Sequence, residues 1–378
     1  MKLLFIVGTR PEAIKLAPVI LKAKERDLDV EVIMTGQHID LVIEVFEVFG
    51  IENYRMFSNN PANVDNLSTL TTKVISNIAW WMNGHIGVLE STKIADVVVV
   101  QGDTVSTFVG ALLGFYHNIP VAHVEAGLRS GNTDHPFPEE MFRRLTAQIA
   151  SYHFCPIETN KQNLFYENID PKICYVVGNT VIDALNMVVE PIYQFRYEKI
   201  RKVMQNSKRN PIVMTIHRRE SWDMLEHIFG GVKDAVKDTD VDVIFPVHPN
   251  PIVKSKAEKV FNDVENVHLL PPIDYLEFIN LLARSSFVVT DSGGVQEEAP
   301  YLGKPVMVVR RETERPEIIK EGFGELVNVL PYKIKDKIKE LLYKDDIVFP
   351  EKKHKYVYGE GDASKKILDI LQRKGKYK

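Results

Sequence analysis

The stretch that decides the fold is Val97-Val98-Val99-Val100-Gln101-Gly102-Asp103-Thr104. A run of β-branched apolar residues without polar alternation is typical of a parallel strand that is buried on both faces. Similar short runs occupy Leu3 to Val7, Val30 to Thr35 and Val121 to Glu125, and helical patterns such as Ala13 to Lys24 lie between some of them. This alternation predicts an α/β fold with a parallel, doubly wound sheet.

The length of the chain predicts two domains. At 378 residues it exceeds the size at which a single hydrophobic core usually stops growing. A long charged stretch around 181 to 210 interrupts the pattern, and the alternation of strands and helices restarts at Ile212. We therefore predict two Rossmann-like domains facing a cleft, residues 1–182 and 183–362, and a last helix at 363–378. Because such sheets bind ligands beyond the carboxyl ends of their strands, the site is expected between the domains.

Composition and charge are ordinary for a soluble globular protein. The formal net charge of −4 gives no reason to expect nucleic acid or an anionic membrane as a partner. The apolar start ends at Gly8 without a cleavage-site pattern, and no later run of about 18 apolar residues follows. Two cysteines, Cys155 and Cys174, are too few for a zinc cluster and fit a reducing compartment. We expect a cytoplasmic protein.

Two turns have the residues that phosphate binding needs. Gly8-Thr9-Arg10 precedes Pro11, so a helix N-terminus with Arg10 and Lys15 beside it could meet an anion. Thr290-Asp291-Ser292-Gly293-Gly294 follows a strand, and its paired glycines let the backbone approach a diphosphate. Each turn is also what an ordinary strand-to-helix connection would show, with the acid or the serine of the second as N-cap. Neither matches the glycine patterns of a dinucleotide site or a P-loop.

Groups suited to acid/base chemistry are concentrated between Gln101 and Gln148. Several carboxylates lie there near Arg129, Arg143 and Arg144 along the chain, as chemistry on an anionic substrate requires. At a strand end in the second half, His217-Arg218-Arg219-Glu220 places a histidine beside two arginines. It could meet phosphate or supply a proton there, although a lone histidine at such a place is more often structural.

Six segments carry a resemblance to a known enzyme family. They are Gly8-Thr9-Arg10-Pro11-Glu12-Ala13-Ile14-Lys15, Gly102-Asp103-Thr104, His123-Val124-Glu125-Ala126-Gly127-Leu128-Arg129, Pro138-Glu139-Glu140, His217-Arg218-Arg219-Glu220 and Ser292-Gly293-Gly294-Val295-Gln296-Glu297-Glu298-Ala299-Pro300. Together, in order over most of the chain, they resemble the non-hydrolysing UDP-N-acetylglucosamine 2-epimerases. The resemblance implies the two-domain glycosyltransferase-B fold with the last helix packed back on the first domain, and a homodimer. It also implies reversible interconversion of UDP-N-acetylglucosamine (UDP-GlcNAc) and UDP-N-acetylmannosamine (UDP-ManNAc), which would supply ManNAc for a surface polysaccharide or glycan.

The chemistry of that reaction restricts its mechanism. C2 of the sugar is not next to a carbonyl, so its proton is not acidic in the ground state and direct abstraction would be too slow. A redox route would need a nicotinamide site, and the missing glycine fingerprint argues against one. What remains, and what the resemblance implies, is elimination of UDP across C1 and C2 to give 2-acetamidoglucal, followed by re-addition. This route needs a base, an acid and retention of the departing UDP. It needs no cofactor and no metal.

The resemblance implies catalytic roles for five residues: Asp103, Glu125, Glu139, Arg143 and His217. The three acids match the family's catalytic carboxylates, the arginine matches the cation beside them, and the histidine matches the group that steadies the leaving phosphate. The sequence leaves open which carboxylate removes the C2 proton. Taken singly, Asp103 and Glu139 could also be helix caps, and Glu125 could belong to an ion pair.

For the nucleotide the resemblance implies eight contacts: Arg10, Lys15, Phe278, Ser292, Gly293, Gly294, Glu298 and Arg315. Glu298 would hold the ribose hydroxyls, because a carboxylate can accept from both. Phe278 would lie near the uracil, although an aromatic residue at helical spacing is by default a core residue. Ile273 stands where many relatives carry Gln, so uracil recognition at that point would use backbone groups.

A second departure from the family concerns regulation. Bacterial relatives bind a second UDP-GlcNAc as an activator through a longer motif. Here Gln37-His38 is followed by Ile39-Asp40-Leu41, and the loop 57–63 lacks the family's cation. We therefore expect weak or absent activation by the substrate.

Three other functions stay open. A glycosyltransferase would share the fold and the UDP site but would need an acceptor. A hydrolysing epimerase would release free ManNAc and UDP. A non-enzymatic UDP-sugar sensor would gain nothing from a dense group of carboxylates near an anionic ligand.

Overall fold

The structure, a computed structural model, describes residues 1–57, 66–88, 93–343 and 357–375. The chain forms two compact units: a first unit of Met1–Met187 with Tyr358–Lys378, and a second unit of Val188–Val357. The last helix therefore belongs to the first unit. Most of the loop 57–63, on which the prediction about activation partly depends, lies outside the described residues.

Each unit contains one parallel sheet. In the described part of the first unit the sheet has seven strands, in the order β3-β2-β1-β4-β5-β6-β7. The strands are β1 (Lys2–Val7), β2 (Asp29–Met34), β3 (Arg55–Met56), β4 (Val97–Gln101), β5 (Val121–Val124), β6 (Tyr152–Cys155) and β7 (Cys174–Val176). The six strands described in the second unit follow the order β10-β9-β8-β11-β12-β13. They are β8 (Ile212–Thr215), β9 (Val243–Pro246), β10 (Val267–Leu270), β11 (Val288–Thr290), β12 (Val306–Val308) and β13 (Gly324–Leu326).

Helices connect almost all of these strands. Those described are α1 (Arg10–Glu25), α2 (Ile39–Phe49), α3 (Leu67–Val88), α4 (Val105–Tyr116), α5 (Glu139–Ile149), α6 (Glu158–Tyr166), α7 (Thr180–Val188), α8 (Glu198–Asn206), α9 (Leu225–Val236), α10 (Pro251–Phe261), α11 (Tyr275–Ala283), α12 (Gly293–Tyr301), α13 (Pro316–Lys320), α14 (Pro331–Tyr343) and α15 (Ala363–Gly375). Among them, none combines the length and the apolar character that crossing a membrane requires.

The buried strands explain why these sheets form. Every residue of β4 is buried, and Val98 and Val100 pack with Leu4 and Ile6 of β1 in the core of the first unit. Strands buried on both faces are the rule where helices cover a parallel sheet. The predicted α/β fold with two parallel sheets is confirmed.

The order of the strands positions the candidate site. In the first unit β1 has β2 on one side and β4 on the other, and in the second unit β8 lies between β9 and β11. Such a reversal of strand order opens a crevice at the carboxyl ends of the strands, which is where open α/β sheets bind ligands. The turns after β1, β4, β8 and β11 therefore lie where ligand-binding groups are expected.

The last helix packs on the first one. Nη1 of Arg26, directly after α1, donates to Asp369 (2.8 Å) and to Gln372 (2.9 Å) on α15. The units divide at Met187, near the end of α7, whereas the sequence placed the boundary after residue 182. Residue 182 lies inside α7, which overlaps the start of the stretch that the sequence analysis treated as a change of pattern.

Candidate active site

Polar turns follow three neighbouring strands of the first unit, β1, β4 and β5. They contain residues 8–10, residues 102–104 and Glu125. The first turn packs against the start of α4 and the end of β2, since a Cβ added at Gly8 would fall 1.8 Å from Oγ of Ser106 and 2.7 Å from Oγ1 of Thr35. Gly8 is therefore required by close packing against the first turn of α4.

Glu12 joins two of these turns. Its buried carboxylate accepts hydrogen bonds from the N–H groups of Gly8 and Thr9 (2.8 Å for Thr9). It also accepts from the hydroxyls of Thr104 and Thr107 (3.2 Å for Thr107). Burial raises the pKa of Glu12 to about 7, although these hydrogen bonds act in the opposite direction.

Replacing Glu12 by glutamine is expected to change how stability depends on pH. The Glu12 carboxyl group has a higher pKa in the folded than in the unfolded protein. At pH values between these two pKa values, it therefore binds a proton on folding. The wild-type protein therefore loses stability as pH rises from about 4.5 to about 7. An amide does not titrate, so the free energy of unfolding of the wild type relative to E12Q should fall by up to about 3 kcal/mol over this interval. Urea unfolding at the two ends of the interval measures the change, and a constant difference would contradict it.

Arg143 holds two acids around one guanidinium group. Its Nε and Nη2 lie 2.8 and 2.6 Å from Oδ2 of Asp103, and its Nη1 lies 3.1 Å from Glu140. Glu140 is fully buried and also accepts from the N–H of Ser130 (2.9 Å) and from Nε of Arg144 (3.2 Å). Asp103 and Arg143, two of the predicted site residues, are thus in direct contact.

Glu139 is the first residue of α5 and is half-buried. The N-cap of this helix is Pro138. The N-cap of α4 is Thr104, whose side chain accepts from the N–H of Thr107 at 3.2 Å. The helix-capping alternative therefore applies neither to Glu139 nor to Asp103.

Glu125 follows β5 in the left-handed conformation, with a φ of 64°. Positive φ is uncommon for residues other than glycine, and strained backbone of this kind is concentrated at functional sites. The carboxylate pairs with the ammonium group of Lys15, and both side chains are less than one tenth exposed (9% and 8%). Nδ2 of Asn179 donates to the same oxygen, Oε2, at 3.4 Å. Glu125 therefore does belong to an ion pair, as one alternative for it stated. Its partner Lys15, which was expected to contact the nucleotide, contacts this carboxylate.

Arg10 and His123 also lie at the carboxyl ends of the first unit's strands or beside them. Arg10 begins α1, and its Nη2 lies 3.8 Å from Oε1 of Glu44 on α2. Nε2–H of His123 donates to the carbonyl of Gly102 at 2.7 Å. Burial lowers the pKa of His123 to about 4, so the ring is neutral near neutral pH and supports the turn that carries Asp103.

In the second unit, Asp291 organises the turn that follows β8. This fully buried carboxylate accepts from the N–H groups of His217 and Arg218 (both 3.0 Å) and from the hydroxyl of Ser221 (2.8 Å). Nδ1 of His217 lies 3.5 Å from Oδ1 of Asp291, and 41% of the histidine side chain is exposed. Loss of solvation lowers the pKa of His217, against the opposing effect of Asp291.

The N-terminus of α12 lies beside two arginines. Ser292 is its N-cap, and a Cβ added at Gly293 would lie 2.7 Å from Nη1 of Arg315 and 3.3 Å from Nη2 of Arg218. Free N–H groups and the helix dipole favour an anion at such a position, and guanidinium groups bind phosphate well. This arrangement can hold a diphosphate.

Carboxylates fix the positions of these arginines. Nε of Arg315 lies 2.6 Å from Glu297, and both side chains are buried. Glu314 lies 3.3 Å from Arg218, 3.5 Å from Arg310 and 3.3 Å from Arg315. Glu314 thus lies among three guanidinium groups and Glu297 against one of them, so acids hold the arginines beside the start of α12.

Replacing Gly293 by alanine is expected to raise the Kd for UDP by about tenfold, which is about 1.4 kcal/mol. The new methyl group would push Arg315 and Arg218 away from the helix N-terminus. Isothermal titration calorimetry measures the change. The control is G230A in α9, where an added Cβ meets nothing within 4 Å. Equal Kd values for G293A and the wild type would show that this turn does not bind UDP.

The other predicted nucleotide contacts lie on α11 and α12. Phe278 on α11 is half-buried, Ile273 before it is buried, and Glu298 on α12 is buried next to Glu297. Gly294 has space, because a Cβ there would meet no atom within 4 Å. Within the described residues, no group of three or more histidines, cysteines and acids is arranged to hold a metal ion.

Several residues without a predicted site role contact predicted site residues or the turns that carry them: Glu12, Asn179, Asp291, Glu297 and Glu314. Glu12, Asp291 and Glu297 stand inside the quoted segments, so their proximity to predicted residues was a usable signal. Asn179 lies 54 residues from Glu125, and Glu314 lies 96 residues from Arg218, and the sequence offers no signal for those two contacts.

Comparisons with known proteins agree with the resemblance found in the sequence. A family model described as UDP-N-acetylglucosamine 2-epimerase matches residues 21–372. The UDP-N-acetylglucosamine 2-epimerase of Bacillus subtilis is 39% identical over 374 residues, which cover 98% of this chain and 95% of that protein.

Solved structures are also similar. The UDP-GlcNAc 2-epimerase of Neisseria meningitidis, solved with UDP-GlcNAc bound, has a TM-score of 0.85 and 37% identity, covering 99% of this chain and 100% of that one. That of Methanocaldococcus jannaschii, in complex with UDP-GlcNAc and UDP, has a TM-score of 0.80 and 33% identity, with the same coverage. The glycotransferase of kitacinnamycin shares the fold alone, with a TM-score of 0.64 and 10% identity. The predicted glycosyltransferase-B-like fold is confirmed. The chain belongs to the UDP-N-acetylglucosamine 2-epimerase family.

Proposed function

We propose that the protein interconverts UDP-GlcNAc and UDP-ManNAc by elimination and re-addition of UDP. A base removes the C2 proton, the C–H electron pair forms the C1–C2 double bond, and the C1–O bond breaks to release UDP. UDP then adds back to 2-acetamidoglucal while an acid delivers a proton to the opposite face of C2. Membership of the family confirms the prediction that the chain is an enzyme, a UDP-N-acetylglucosamine 2-epimerase, and thus an isomerase.

One observation carries the mechanism: two carboxylates at the ends of adjacent strands, each held by its own cation. Asp103 follows β4 and pairs with Arg143, and Glu125 follows β5 and pairs with Lys15. Proton transfer to and from both faces of C2 needs more than one acid/base group, and firm positioning of each group is a large part of its effect. We assign this role to the set Asp103, Glu125 and Glu139.

Retention of UDP is assigned to the second unit. The N-terminus of α12 with Arg315 and Arg218 supports binding of the diphosphate. His217 is proposed to donate a hydrogen bond to the leaving phosphate, because its ring is partly exposed and held by Asp291. Glu298 is proposed to accept from the ribose hydroxyls and Phe278 to lie near the uracil. The complexes of the N. meningitidis and M. jannaschii enzymes with UDP-GlcNAc support a UDP-sugar as ligand.

The proposal includes a homodimer that works in the cytoplasm. Five aromatic residues of the first unit are strongly exposed on helices: Trp80, Phe115, Tyr116, Phe165 and Tyr166. Exposed apolar groups of this kind are typical of protein interfaces. Two buried thiols, Cys155 and Cys174, are compatible with a reducing compartment. Light scattering of the purified protein tests the dimer, and a monomer at micromolar concentration would contradict it.

Product analysis tests the proposed function directly. The purified protein is incubated with UDP-GlcNAc alone, without cofactor, metal or acceptor, and the nucleotides are separated by chromatography. UDP-ManNAc as the product supports the proposal. Free ManNAc with UDP would identify a hydrolysing epimerase, and turnover only with an added acceptor would identify a glycosyltransferase. The same assay tests the expected weak activation, which strongly sigmoidal dependence on UDP-GlcNAc would contradict.

A further inference from the structure

Asn179 connects a catalytic carboxylate to a distant part of the chain. It stands immediately before α7 and is only 2% exposed. Its Oδ1 accepts from the N–H of Val181 at 3.0 Å, which caps the helix. Its Nδ2 donates to Oε2 of Glu125 at 3.4 Å, and its backbone N–H donates to the carbonyl of Tyr358 at 2.7 Å.

These bonds lie where the chain returns to the first unit. The chain leaves this unit at Met187, near the end of α7, and returns at Tyr358. Gly178 lies so close to the returning segment that an added Cβ would be 3.0 Å from the carbonyl oxygen of Tyr358. Gly178 also has a φ of 97°, which side chains other than hydrogen rarely allow. The contact between the two segments therefore depends on the backbone conformation of Gly178 and on its missing side chain.

A second connection joins the same two segments one turn further along α7. Asp183 accepts from the N–H groups of Ala363 (3.2 Å) and Ser364 (2.8 Å), and so caps α15. Asp183 thus fastens the returning segment through α15, whereas Asn179 is the member of this junction that also contacts Glu125. Asn179 can therefore be tested for an effect on catalysis, with Asp183 as the neighbour for comparison.

We propose that Asn179 is a positioning residue that orients the Glu125 carboxylate for proton transfer and couples it to the returning segment at Tyr358. The proposal rests on the acid/base role assigned to Glu125. The amide of Asn179 can accept from Val181 and donate to Glu125 at the same time. A carboxylate in its place could only accept. Without the amide donor, the carboxylate loses one of the groups that orient it beside Lys15, and small misplacements of catalytic groups are costly.

Three substitutions separate positioning from helix capping. Asparagine, aspartate and serine are similarly good N-caps, so a capping role alone predicts that N179D and N179S behave like the wild type. Positioning predicts a graded loss. We expect N179S to lower kcat about tenfold because a shorter hydroxyl replaces the amide N–H that donates to Glu125. N179D should lower kcat about a hundredfold because it removes the donor and places a second carboxylate against Glu125. KM for UDP-GlcNAc should change less than about threefold in both, because UDP is held by the second unit.

A kinetic isotope effect distinguishes the two roles, because a purely structural role of Asn179 would leave it unchanged. With UDP-GlcNAc deuterated at C2, the isotope effect on kcat should rise in N179D and N179S, because proton transfer becomes slower than the other steps. The matched control is D183N, which weakens the cap of α15, should lower Tm, and should keep the isotope effect and kcat of the wild type.

The outcomes are distinct. If the wild type does not turn over UDP-GlcNAc, the proposed function fails. If the wild type is active and N179D keeps its kcat and isotope effect, the positioning role is wrong. If N179D proves too unstable to assay, N179S decides alone, since serine adds no charge and keeps the cap.

Discussion

Replacing Glu125 by glutamine is expected to lower kcat for epimerisation by about 10³-fold, the typical effect of a lost acid/base group. The substitution keeps the size and shape of the side chain and removes its ability to exchange a proton. Glu125 is held by Lys15, by Asn179 and by its own left-handed backbone, so the variant side chain has little freedom to find another arrangement. Steady-state kinetics of UDP-ManNAc formation measure the loss, and KM should change much less than kcat.

The control for E125Q must separate chemistry from folding. Lys15 is buried, and an unpaired buried charge typically costs several kcal/mol of stability. The double variant E125Q/K15Q removes that charge, and it should be folded and equally inactive. E25Q breaks the exposed ion pair between Glu25 and Lys22 and should leave activity and Tm unchanged. Activity of folded E125Q within about tenfold of the wild type would exclude Glu125 from proton transfer.

Replacing Asp103 by asparagine should lower kcat by about 10²- to 10⁴-fold. The amide keeps the shape of the side chain but cannot exchange a proton in the reaction. Arg143 keeps Glu140 as a partner at 3.1 Å, so its buried charge remains compensated and the fold is expected to survive. Loss of kcat with little change in Tm would therefore assign the effect to chemistry.

A matched variant exists in the same unit. Asp369 on α15 also pairs with an arginine, Arg26, at 2.8 Å, and this pair is partly exposed. D369N should leave kcat unchanged and should change the free energy of unfolding by no more than about 1 kcal/mol. Wild-type kcat in D103N would show that Asp103 only balances the charge of Arg143.

The fold was predictable because its signals are local. The Val97 to Gln101 run is long, apolar and β-branched, and it forms the fully buried strand β4. The ends of elements were less predictable. Strand β5 stops at Val124 and not at Glu125, because Glu125 turns into the left-handed conformation, which no residue preference announces. The helix α7 was likewise hidden inside a stretch that looked only like a change of pattern.

The contacts among the predicted site residues could not be predicted from the sequence. The resemblance implied roles for Asp103 and Arg143, and the structure places them in one ion pair. The resemblance implied a nucleotide contact for Lys15, and in the structure its side chain pairs with Glu125, which is 110 residues away in the sequence. Contacts over such separations depend on the order of strands in the sheet, and a single sequence does not encode that order in any local pattern.

The buried titratable groups illustrate the same limit. Glu12 reads as an ordinary capping-box acid at the start of α1. Its high pKa arises because α4 and the turn after β4 enclose it from another part of the chain. Only the folded structure shows that Glu12, at the start of α1, also joins the turn after β1 to the turn after β4.

Proton NMR of UDP-GlcNAc incubated with the purified protein in D₂O shows whether the C2 proton is removed during the reaction. We expect that UDP-ManNAc forms, that both sugars acquire deuterium at C2, and that no cofactor, metal or acceptor is needed. Deuterium at C2 would establish removal of that proton during the reaction. Formation of UDP-ManNAc with the original hydrogen fully retained at C2, or an unchanged and unlabelled substrate, would contradict the proposed elimination.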